Sequence, residues 1–305
     1  MNNTSPIKER SGVSNPDYST ALYCDPPSHD FCVWLIMAEM MRRQHNAPAP
    51  LKVRFGLQDG RLLHPARKDA EEYSDIMLPN VLRPALTMLG AKETLNTLDN
   101  AMYDHHIGEL VDAARAGWEV PHWKVPVWAA EHVKWLAYTK PLVITLRECQ
   151  HQLERNSNLD AWQTFAEYVS GKGYSVIFIR DTAKAYEKLD FPTCPVASQN
   201  TYIRAALMHS ALCNFLVCTG PNVWVQFSTA PYLLFKQLVP ALDGWQHGRY
   251  DGWREQDHME VGQQWPWASP LQRMTWLDDT FENIRNEFEA IEPRLRARAM
   301  PTGRL

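Results

Sequence analysis

Long runs of one charge sign and long apolar runs are both missing from this chain. Its 305 residues carry 31 Lys and Arg against 35 Asp and Glu, for a formal net charge of −4. A nucleic-acid-binding surface needs clustered Lys and Arg to neutralise phosphates, so we expect no nucleic-acid partner. The longest apolar run, residues 31–38, is far shorter than the ~20 residues that span a bilayer. It predicts a buried helix segment and no transmembrane segment.

Disulfide and secretion patterns are missing too. The six cysteines include no C-x-x-C pair and no zinc-ligand spacing. A disulfide framework is unusual in a chain of this size without a secretion signal. Residues 1–15 are polar and contain no apolar signal core, so we expect a disordered leader over residues 1–17. A reducing compartment and a cytoplasmic location follow as expectations.

Common nucleotide and metal motifs are also absent. The sequence contains no G-x-x-x-x-G-K-[ST] phosphate loop, no G-x-S-x-G elbow and no D-x-D triplet. Gly171-Lys172-Gly173 follows a helical pattern and precedes a strand, so it predicts a helix stop. His105-His106 lacks an H-E-x-x-H partner, which favours a surface or packing role. Asp278-Asp279 predicts the cap of a late helix. We therefore expect no metal and no bound cofactor.

Tryptophan, by contrast, is abundant, with twelve in the chain. Several fall late in the sequence: Trp245, Trp253, Trp265, Trp267 and Trp276. They are consistent either with packing of a loop-rich C-terminal segment or with stacking on a sugar ring or a base.

The first half of the chain reads as alternating strands and helices. Its predicted elements are strands over 21–24 and 51–57, and helices over 31–44, 69–91, 107–116 and 127–137. Ser28 or Asp30 is placed to cap the first helix, Asp59-Gly60 predicts a turn, and Gly90 predicts a helix end. Strand–helix–strand–helix order is typical of an α/β domain.

The second half repeats this order more clearly. Its predicted elements are strands over 142–146, 174–179, 213–218 and 232–235, helices over 159–170, 201–211 and 276–292, a further helix that residues 219–222 open and that runs to about 227, and an ordered loop over 241–275. Ser157 and Asp160 have capping-box spacing before the 159–170 helix. Strands that are apolar on both faces and alternate with helices predict a parallel sheet covered on both sides.

Polar residues follow the predicted strands of this second sheet. Right-handed crossovers place every strand's carboxyl end at one edge, where ligands bind. The residues expected there are Arg147, Asp181, Thr182, Thr219, Gly220, Pro221 and Asn222. Pro221 suits the first position of a helix, so the N–H groups of Asn222 and Val223 are expected to be free to hold a phosphate.

Arg147 and Asp181 each allow two interpretations. Arg147 supplies either the fixed charge and bidentate fork for a phosphate, or an ion pair with a nearby carboxylate. Asp181 either contacts the ligand or caps a helix.

A second polar cluster follows the first strand of the first half. It consists of Asp25, Ser28, His29 and Asp30. If two domains face each other across a cleft, this cluster would oppose Arg147. Asp30 would then act as a general base on a hydroxyl, or serve only as a helix-start residue.

The stretch from Leu142 to Phe235 resembles the nucleotide-sugar-binding domain of the GT-B glycosyltransferases, in particular the fucosyltransferase-like and heptosyltransferase-like groups. The strand that ends at Arg147 resembles the one whose arginine grips the donor diphosphate. The strand that ends at Asp181-Thr182 resembles the next one, which ends in a polar pair near the donor. Residues 215–228, with Gly220 and Ser228, resemble the last segment, where a small-residue loop and a serine lie along the nucleotide. The resemblance implies that Ser228 also contacts the donor.

The resemblance implies an α/β fold of two Rossmann-like doubly wound domains facing across a cleft. The expected organisation is a leader over 1–17, an acceptor-side domain over 18–137, a donor-binding domain with a Trp-rich loop over 138–275, and a helix over 276–305 that crosses back.

The expected activity is metal-independent transfer of a sugar from a nucleotide diphosphate sugar to a glycan or other hydroxyl acceptor, with Asp30 and Arg147 as catalytic residues. Asp25 is the alternative to Asp30 for deprotonating the acceptor. Two alternatives stay open. One is a sugar-nucleotide epimerase or hydrolase, and the other is a GT-B-derived protein that binds a nucleotide, a glycan or a partner without catalysis.

Overall fold

The computed structural model describes residues 17–56, 69–96, 101–102, 107–136, 140–239 and 250–299. The chain divides into two compact units, Met1–Lys124 with Glu255–Met259, and Val125–Arg254 with Glu260–Leu305. None of the helices in the described ranges combines the length and apolarity that a membrane-spanning helix needs. The domain boundaries expected from the sequence stay predictions.

The first unit is built on a four-stranded parallel sheet of order β3-β2-β1-β4. Its strands are β1 (Asp17–Tyr23), β2 (Lys52–Phe55), β3 (Lys92–Glu93) and β4 (Ala101–Met102). Its helices are α1 (Asp30–Gln44), α2 (Ala70–Met77), α3 (Arg83–Leu89) and α4 (Ile107–Arg115), with a π-helical turn (Leu78–Leu82) between α2 and α3. Asp17, the last residue of the predicted leader, belongs to β1 and pairs with Ala101, and residues 1–16 lie outside the described residues.

The second unit is built on a five-stranded parallel sheet of order β6-β5-β7-β8-β9. Its strands are β5 (Leu142–Thr145), β6 (Val176–Ile179), β7 (Cys213–Val217), β8 (Tyr232–Phe235) and β9 (Gln272–Met274). Its helices are α5 (Val127–Trp135), α6 (Leu159–Gly171), α7 (Pro195–Gln199), α8 (Thr201–Ser210), α9 (Val223–Gln226), α10 (Tyr250–Glu255) and α11 (Phe281–Ala299).

The two faces of the second sheet carry different helices. Leu142, Ile144 and Leu146 are buried in one core with residues of α6 and α11. Because strand side chains alternate between faces, Val143 and Thr145 point to the opposite face. Right-handed crossovers to the two sides of β5 place α7 and α8 on that opposite face. Thr145 therefore faces the helices that follow β6.

Two predicted helix stops are confirmed. Gly90 follows α3 with a φ of 77°, and Gly173 lies just beyond α6 with a φ of 88°. A left-handed backbone of this kind favours glycine because it lacks a Cβ atom. The predicted strands and helices of the second half are present within a few residues of their expected ends, with the exceptions below.

Three local predictions in the second unit are wrong. Asn158, not Ser157, caps α6 by accepting from the Ala161 N–H at 3.3 Å, and the Ser157 hydroxyl accepts from the Arg147 N–H at 2.9 Å. The last helix begins at Phe281 and not at Trp276, which has a left-handed φ of 60°. The segment expected to be a loop contains β9, whose three residues pair with β8.

The late tryptophans pack on one another. Trp265 stacks on Trp267 with ring centroids 5.1 Å apart, and Trp253 meets Trp276 edge to face at 4.8 Å. Trp267 also stacks on Phe227 at 5.5 Å. For these four, packing of the C-terminal segment is the interpretation that the structure supports. Trp245, His105-His106 and the Asp59-Gly60 turn lie outside the described residues.

Candidate functional site

The strand order of the second sheet creates a switch point between β5 and β7. The chain moves from β5 outward to β6 and then returns to the other side of β5 to form β7. In open parallel sheets, the connections on the two sides of such a point leave the sheet on opposite faces, and a crevice opens at the carboxyl ends. The residues at this edge are Arg147 and Glu148 after β5, Asp181 and Thr182 after β6, and Cys218 to Asn222 after β7.

Arg147 is almost fully buried at this switch point, with 6% of its surface exposed. Its Nη1 donates to the Gln152 carbonyl at 2.9 Å and to the Asn156 Oδ1 at 2.5 Å, and its Nη2 donates to the His151 carbonyl at 2.6 Å. Burial, and then the nearby Arg155 charge, lower the pKa of this guanidinium. The described hydrogen bonds go to neutral oxygens, so the expected alternative of an ion pair with a carboxylate is not what the described residues show.

A buried ion pair lies beside Arg147. Arg180 donates from Nε and Nη2 to the two carboxylate oxygens of Glu148, at 2.9 and 2.5 Å. Only 4% of the Arg180 side chain and 8% of the Glu148 side chain are exposed. This bidentate ion pair joins the ends of β5 and β6, and Arg180 compensates the Glu148 charge.

Asp181 joins the same two strand ends a second time. Its carboxylate accepts from the Glu148 N–H at 2.5 Å. The short 3₁₀ turn that follows it, Thr182–Lys184, receives no side-chain cap from Asp181, so the capping interpretation is wrong. Burial raises the pKa of Asp181, even though that hydrogen bond and the charges of Arg204 and Arg147 act to lower it.

Arg204, a residue of α8, also lies near this edge and is hydrogen-bonded to α7. Its Nε donates to the Ala197 carbonyl at 2.8 Å and its Nη2 to the Ser198 carbonyl at 3.2 Å. Burial lowers the pKa of Arg204 to about 10, opposed by the charge of Asp181. The Thr182 hydroxyl donates to the same Ser198 carbonyl at 3.0 Å. The predicted ligand residue Thr182 is thus already hydrogen-bonded to α7.

The segment after β7 departs from its prediction in one respect. Gly220–Asn222 form a 3₁₀ turn followed by the four-residue helix α9. The Asn222 N–H donates to the Thr219 carbonyl at 3.1 Å, and the Val223 N–H donates within the same turn. The prediction of free N–H groups at Asn222 and Val223 is therefore wrong, because the tighter turn consumes them. Thr219, Gly220 and Pro221 lie partly exposed at the carboxyl edge, as expected.

Ser228 is not brought to this edge. It lies just before β8, where the Asn214 N–H donates to the Pro231 carbonyl, so it belongs to the amino end of the sheet. Its hydroxyl donates to the Val225 carbonyl at 2.9 Å and accepts from the Ala230 N–H at 3.0 Å. The turn and helix after Gly220 carry the chain back across the sheet face, which separates Ser228 from the other predicted residues.

Three further polar side chains lie near this edge, and the sequence did not assign a role to any of them. Thr145 Oγ1, Ser198 Oγ and Asn222 Oδ1 have no hydrogen-bond partner among the described residues. Their residues are 3%, 5% and 4% exposed. Thr145 ends an apolar strand and Ser198 lies in a helix that was not predicted, so neither carried a sequence signal. Asn222 was predicted for its backbone and not for its side chain.

Asp30 lies in the first unit, in the first turn of α1 and near the carboxyl end of β1. It is exposed, and its Oδ2 accepts from the Ser28 hydroxyl at 3.0 Å, while its N–H donates to the same hydroxyl at 3.0 Å. The cap position of α1 is His29, whose side chain makes no capping hydrogen bond, so the prediction that Ser28 or Asp30 caps this helix is wrong. Burial, followed by the charges of Asp25 and Asp30, raises the pKa of the neighbouring Tyr23.

Among the described residues, no group of three or more His, Cys, Asp and Glu side chains is arranged to hold a metal ion. The positive charges that the described residues place at the carboxyl edge of the second unit include the guanidinium groups of Arg147, Arg180 and Arg204. The arrangement can bind an anion and can hydrogen-bond neutral polar groups beside it.

Comparisons with known proteins give no family for this chain. No family model matches it, and no curated protein matches it. Among solved structures, it is similar to a family 9 glycosyl transferase from Veillonella parvula, with 10% identity, a TM-score of 0.45, and coverage of 73% of this chain and 82% of that one. It is also similar to the iron-containing dodecameric glycosyltransferase TibC from enterotoxigenic E. coli, with 14% identity, a TM-score of 0.43, and coverage of 92% and 76%.

Proposed function

We propose that the second unit binds a nucleoside diphosphate sugar at its switch point and that the protein transfers the sugar to a hydroxyl acceptor. The observation that carries the proposal is the buried Arg147 guanidinium between β5 and β7, whose described hydrogen bonds all go to neutral oxygens. A diphosphate is the ligand that this charge and this place in an α/β sheet favour together.

The local charges favour an anion for a physical reason. A buried cation is costly unless an opposite charge compensates it. Arg155 adds a second positive charge close enough to lower the Arg147 pKa. Glu148 is paired with Arg180, and the Asp181 carboxylate accepts from the Glu148 N–H while its charge also acts on Arg147. A diphosphate would compensate the Arg147 guanidinium.

Arg147 also has donors left for such a ligand. Nη1 uses both of its hydrogens and Nη2 uses one of two, which leaves Nε and the second Nη2 hydrogen without a partner among the described residues. The five donors of a guanidinium lie in a fixed plane, so the three bonds to residues 151–156 also fix the direction of the remaining two. Such a preorganised fork would stabilise negative charge on the departing diphosphate without a metal ion.

We assign the general base to Asp30. Its carboxylate is exposed near the carboxyl end of β1, beside the switch point of the first sheet between β1 and β4. Its described partner is the Ser28 hydroxyl, which leaves carboxylate lone pairs for an acceptor hydroxyl. A general base contributes a factor of about 10² to 10⁴ in rate, so Asp30→Asn should lower kcat by that factor and leave donor affinity unchanged.

The test begins with binding. Calorimetric titration of GDP, UDP, ADP and CDP, and of their sugar conjugates, into the full chain should find one selective base. Arg147→Lys, which keeps the charge and loses the planar fork, should weaken that ligand about tenfold or more. Arg294→Lys, an exposed position on α11, is the matched control and should bind like the wild type.

Turnover then separates the competing activities. Consumption of the sugar nucleotide only when a hydroxyl acceptor is present supports transfer. Consumption without an acceptor would indicate a hydrolase or epimerase, and binding with no turnover across acceptors would indicate a non-catalytic protein. Equal affinity of wild type and Arg147→Lys for the selected nucleotide would overturn the donor site itself.

A further inference from the structure

The carboxyl edge of the second sheet contains neutral polar groups that the diphosphate proposal does not use. Thr145 Oγ1, Ser198 Oγ and Asn222 Oδ1 are each more than nine-tenths buried and lack a hydrogen-bond partner among the described residues. Buried polar groups in folded proteins nearly always have hydrogen-bond partners. Three unpartnered side chains at one edge of the sheet therefore indicate that a ligand supplies the partners.

All three belong to the same face and the same edge. Thr145 is the last residue of β5 and points away from the core formed with α6 and α11. Ser198 lies in α7, and its carbonyl accepts from both the Thr182 hydroxyl and Arg204. Asn222 precedes α9, which is joined to α8 by the hydrogen bond between His209 Nε2 and the Trp224 carbonyl at 2.9 Å.

Their positions on the sheet are also in register. Thr145 is paired with Ile179 of β6 on one side and with Leu216 of β7 on the other. The Ser198 carbonyl is hydrogen-bonded to Thr182, three residues beyond Ile179, and the Asn222 N–H to Thr219, three residues beyond Leu216. The three residues therefore lie near the carboxyl ends of β5, β6 and β7, with Thr145 as the last residue of β5.

The chemistry of the three groups defines the ligand. A threonine or serine hydroxyl both donates and accepts, and an amide oxygen only accepts. None carries a charge, so they do not duplicate the role of Arg147. Groups that pair with such a set are neutral hydroxyls, which accept and donate in the same way.

We propose that Thr145, Ser198 and Asn222 form a neutral subsite that hydrogen-bonds sugar hydroxyls of the bound ligand, next to the anion held by Arg147. The hydroxyls belong either to the ribose of the nucleotide or to the sugar that is transferred. This inference rests on the proposed nucleotide site and names the part of the ligand that its Arg residues do not recognise.

The test uses Thr145→Val and Ser198→Ala, each of which removes a hydroxyl with little change of shape. Because these hydroxyls lack a protein partner, their loss should leave the melting temperature unchanged or slightly raised. Affinity for the selected nucleoside diphosphate sugar should nevertheless fall about five- to tenfold in each variant. Affinity for inorganic pyrophosphate, measured in the same titration, should not change.

Tyr232→Phe is the matched control. The Tyr232 hydroxyl is also fully buried and without a partner among the described residues, but it lies at the first residue of β8, at the amino end of the sheet. This variant should melt and bind like the wild type. The control separates loss of a buried hydroxyl in general from loss of one at the carboxyl edge.

Comparison of ligands identifies which hydroxyls are bound. If the variants weaken the nucleoside diphosphate and its sugar conjugate equally, the ribose occupies the subsite. If they weaken only the sugar conjugate, the transferred sugar does. If the variants bind the nucleoside diphosphate and its sugar conjugate as tightly as the wild type does, the subsite is overturned. It is also overturned if their affinity for pyrophosphate falls by the same factor. The Arg147 site stands in both cases. Absence of any nucleotide binding by the wild type would overturn both.

Discussion

Asp279 connects three parts of the second unit through one buried carboxylate. Its Oδ2 accepts from the Asn158 N–H at 2.7 Å and from the Trp162 indole at 2.9 Å, and Oδ1 pairs with Lys236 at 3.2 Å. The sequence suggested only that Asp278-Asp279 caps the late helix. Asp279 instead fixes the start of α6, and the first turn of α11 is served by the Thr280 hydroxyl, which accepts from the Asn283 N–H.

This role gives a prediction at the residue scale. Asp279→Asn should lower the free energy of unfolding by about 2–3 kcal/mol, because Asp279 is 2% exposed and Lys236 would lose its carboxylate partner and keep only the Asn156 carbonyl. The neighbouring Asp278 is exposed, so Asp278→Asn should stay within about 0.5 kcal/mol of wild type. Urea unfolding of the pair measures the difference, and equal values would contradict the assignment.

Single residues of the candidate site were predictable in part. Arg147 and Asp181 each lie two residues beyond the end of an apolar strand, and such a position is visible in the sequence. The partners of Arg147 are backbone carbonyls of residues 151–152 and the side chain of Asn156, which depend on how one loop folds back. Ser228 was misplaced because the sequence does not show how far a four-residue helix carries the chain.

At the scale of elements, α11 is attached to α6 by a polar network as well as by its apolar face. Glu292 accepts from Lys172 at 2.9 Å, from Tyr174 at 2.8 Å and from Arg296 at 2.7 Å. Burial alone would raise the pKa of Glu292, but these three donors lower it to about 2. The ionised carboxylate therefore helps to hold α11 on the second unit.

The pKa shift predicts how stability depends on pH. A carboxyl whose pKa is lower in the folded state stabilises that state above its unfolded pKa, near 4.3, and the stabilisation is lost as pH falls towards 2. At pH 7, Glu292→Gln should lower the free energy of unfolding by about 2 kcal/mol. The deficit should shrink between pH 5 and pH 2 in urea titrations. A deficit that is independent of pH would contradict the ionic role.

A second element-scale prediction concerns the segment Glu255–Met259, which belongs to the first unit. It lies on α4, where Arg115 donates to the His258 carbonyl at 2.7 Å. A methyl group on Gly108 would lie 2.5 Å from the Gln256 carbonyl oxygen. Gly108→Ala should therefore displace this segment and cost about 1–3 kcal/mol.

Gly171→Ala is the control for this prediction. A Cβ on Gly171 would meet no atom within 4 Å, and the residue ends α6, so the change should be neutral or slightly stabilising. Urea unfolding compares the two variants, and hydrogen exchange of residues 255–259 reports the displacement directly. Equal stability and equal exchange would show that the segment accommodates the methyl group.

The elements themselves were predictable where periodicity or a stop signal was strong. β5, β6, β7 and β8 are apolar on both faces, and Gly90 and Gly173 ended their helices as expected. β9 was missed because Gln272-Arg273-Met274 is short and polar, and only pairing with β8 makes it a strand. α7 was missed because five residues are too few for helical periodicity to show.

At the scale of the molecule, each unit is an open parallel sheet whose strand order reverses once. The orders β3-β2-β1-β4 and β6-β5-β7-β8-β9 place a switch point beside β1 and beside β5. The strand–helix alternation predicted an α/β protein with parallel sheets, and that is confirmed. The order of strands within a sheet depends on crossovers, which the sequence does not encode locally.

The central claim is that the carboxyl edge of the second sheet binds a nucleoside diphosphate. Hydrogen exchange of the full chain, with and without the selected nucleotide at saturation, locates binding without any substitution. We expect slower exchange over residues 146–157, 180–184 and 218–222, and no change over 228–231 at the amino edge. Slower exchange confined to other segments, or none with any nucleoside diphosphate, would contradict it.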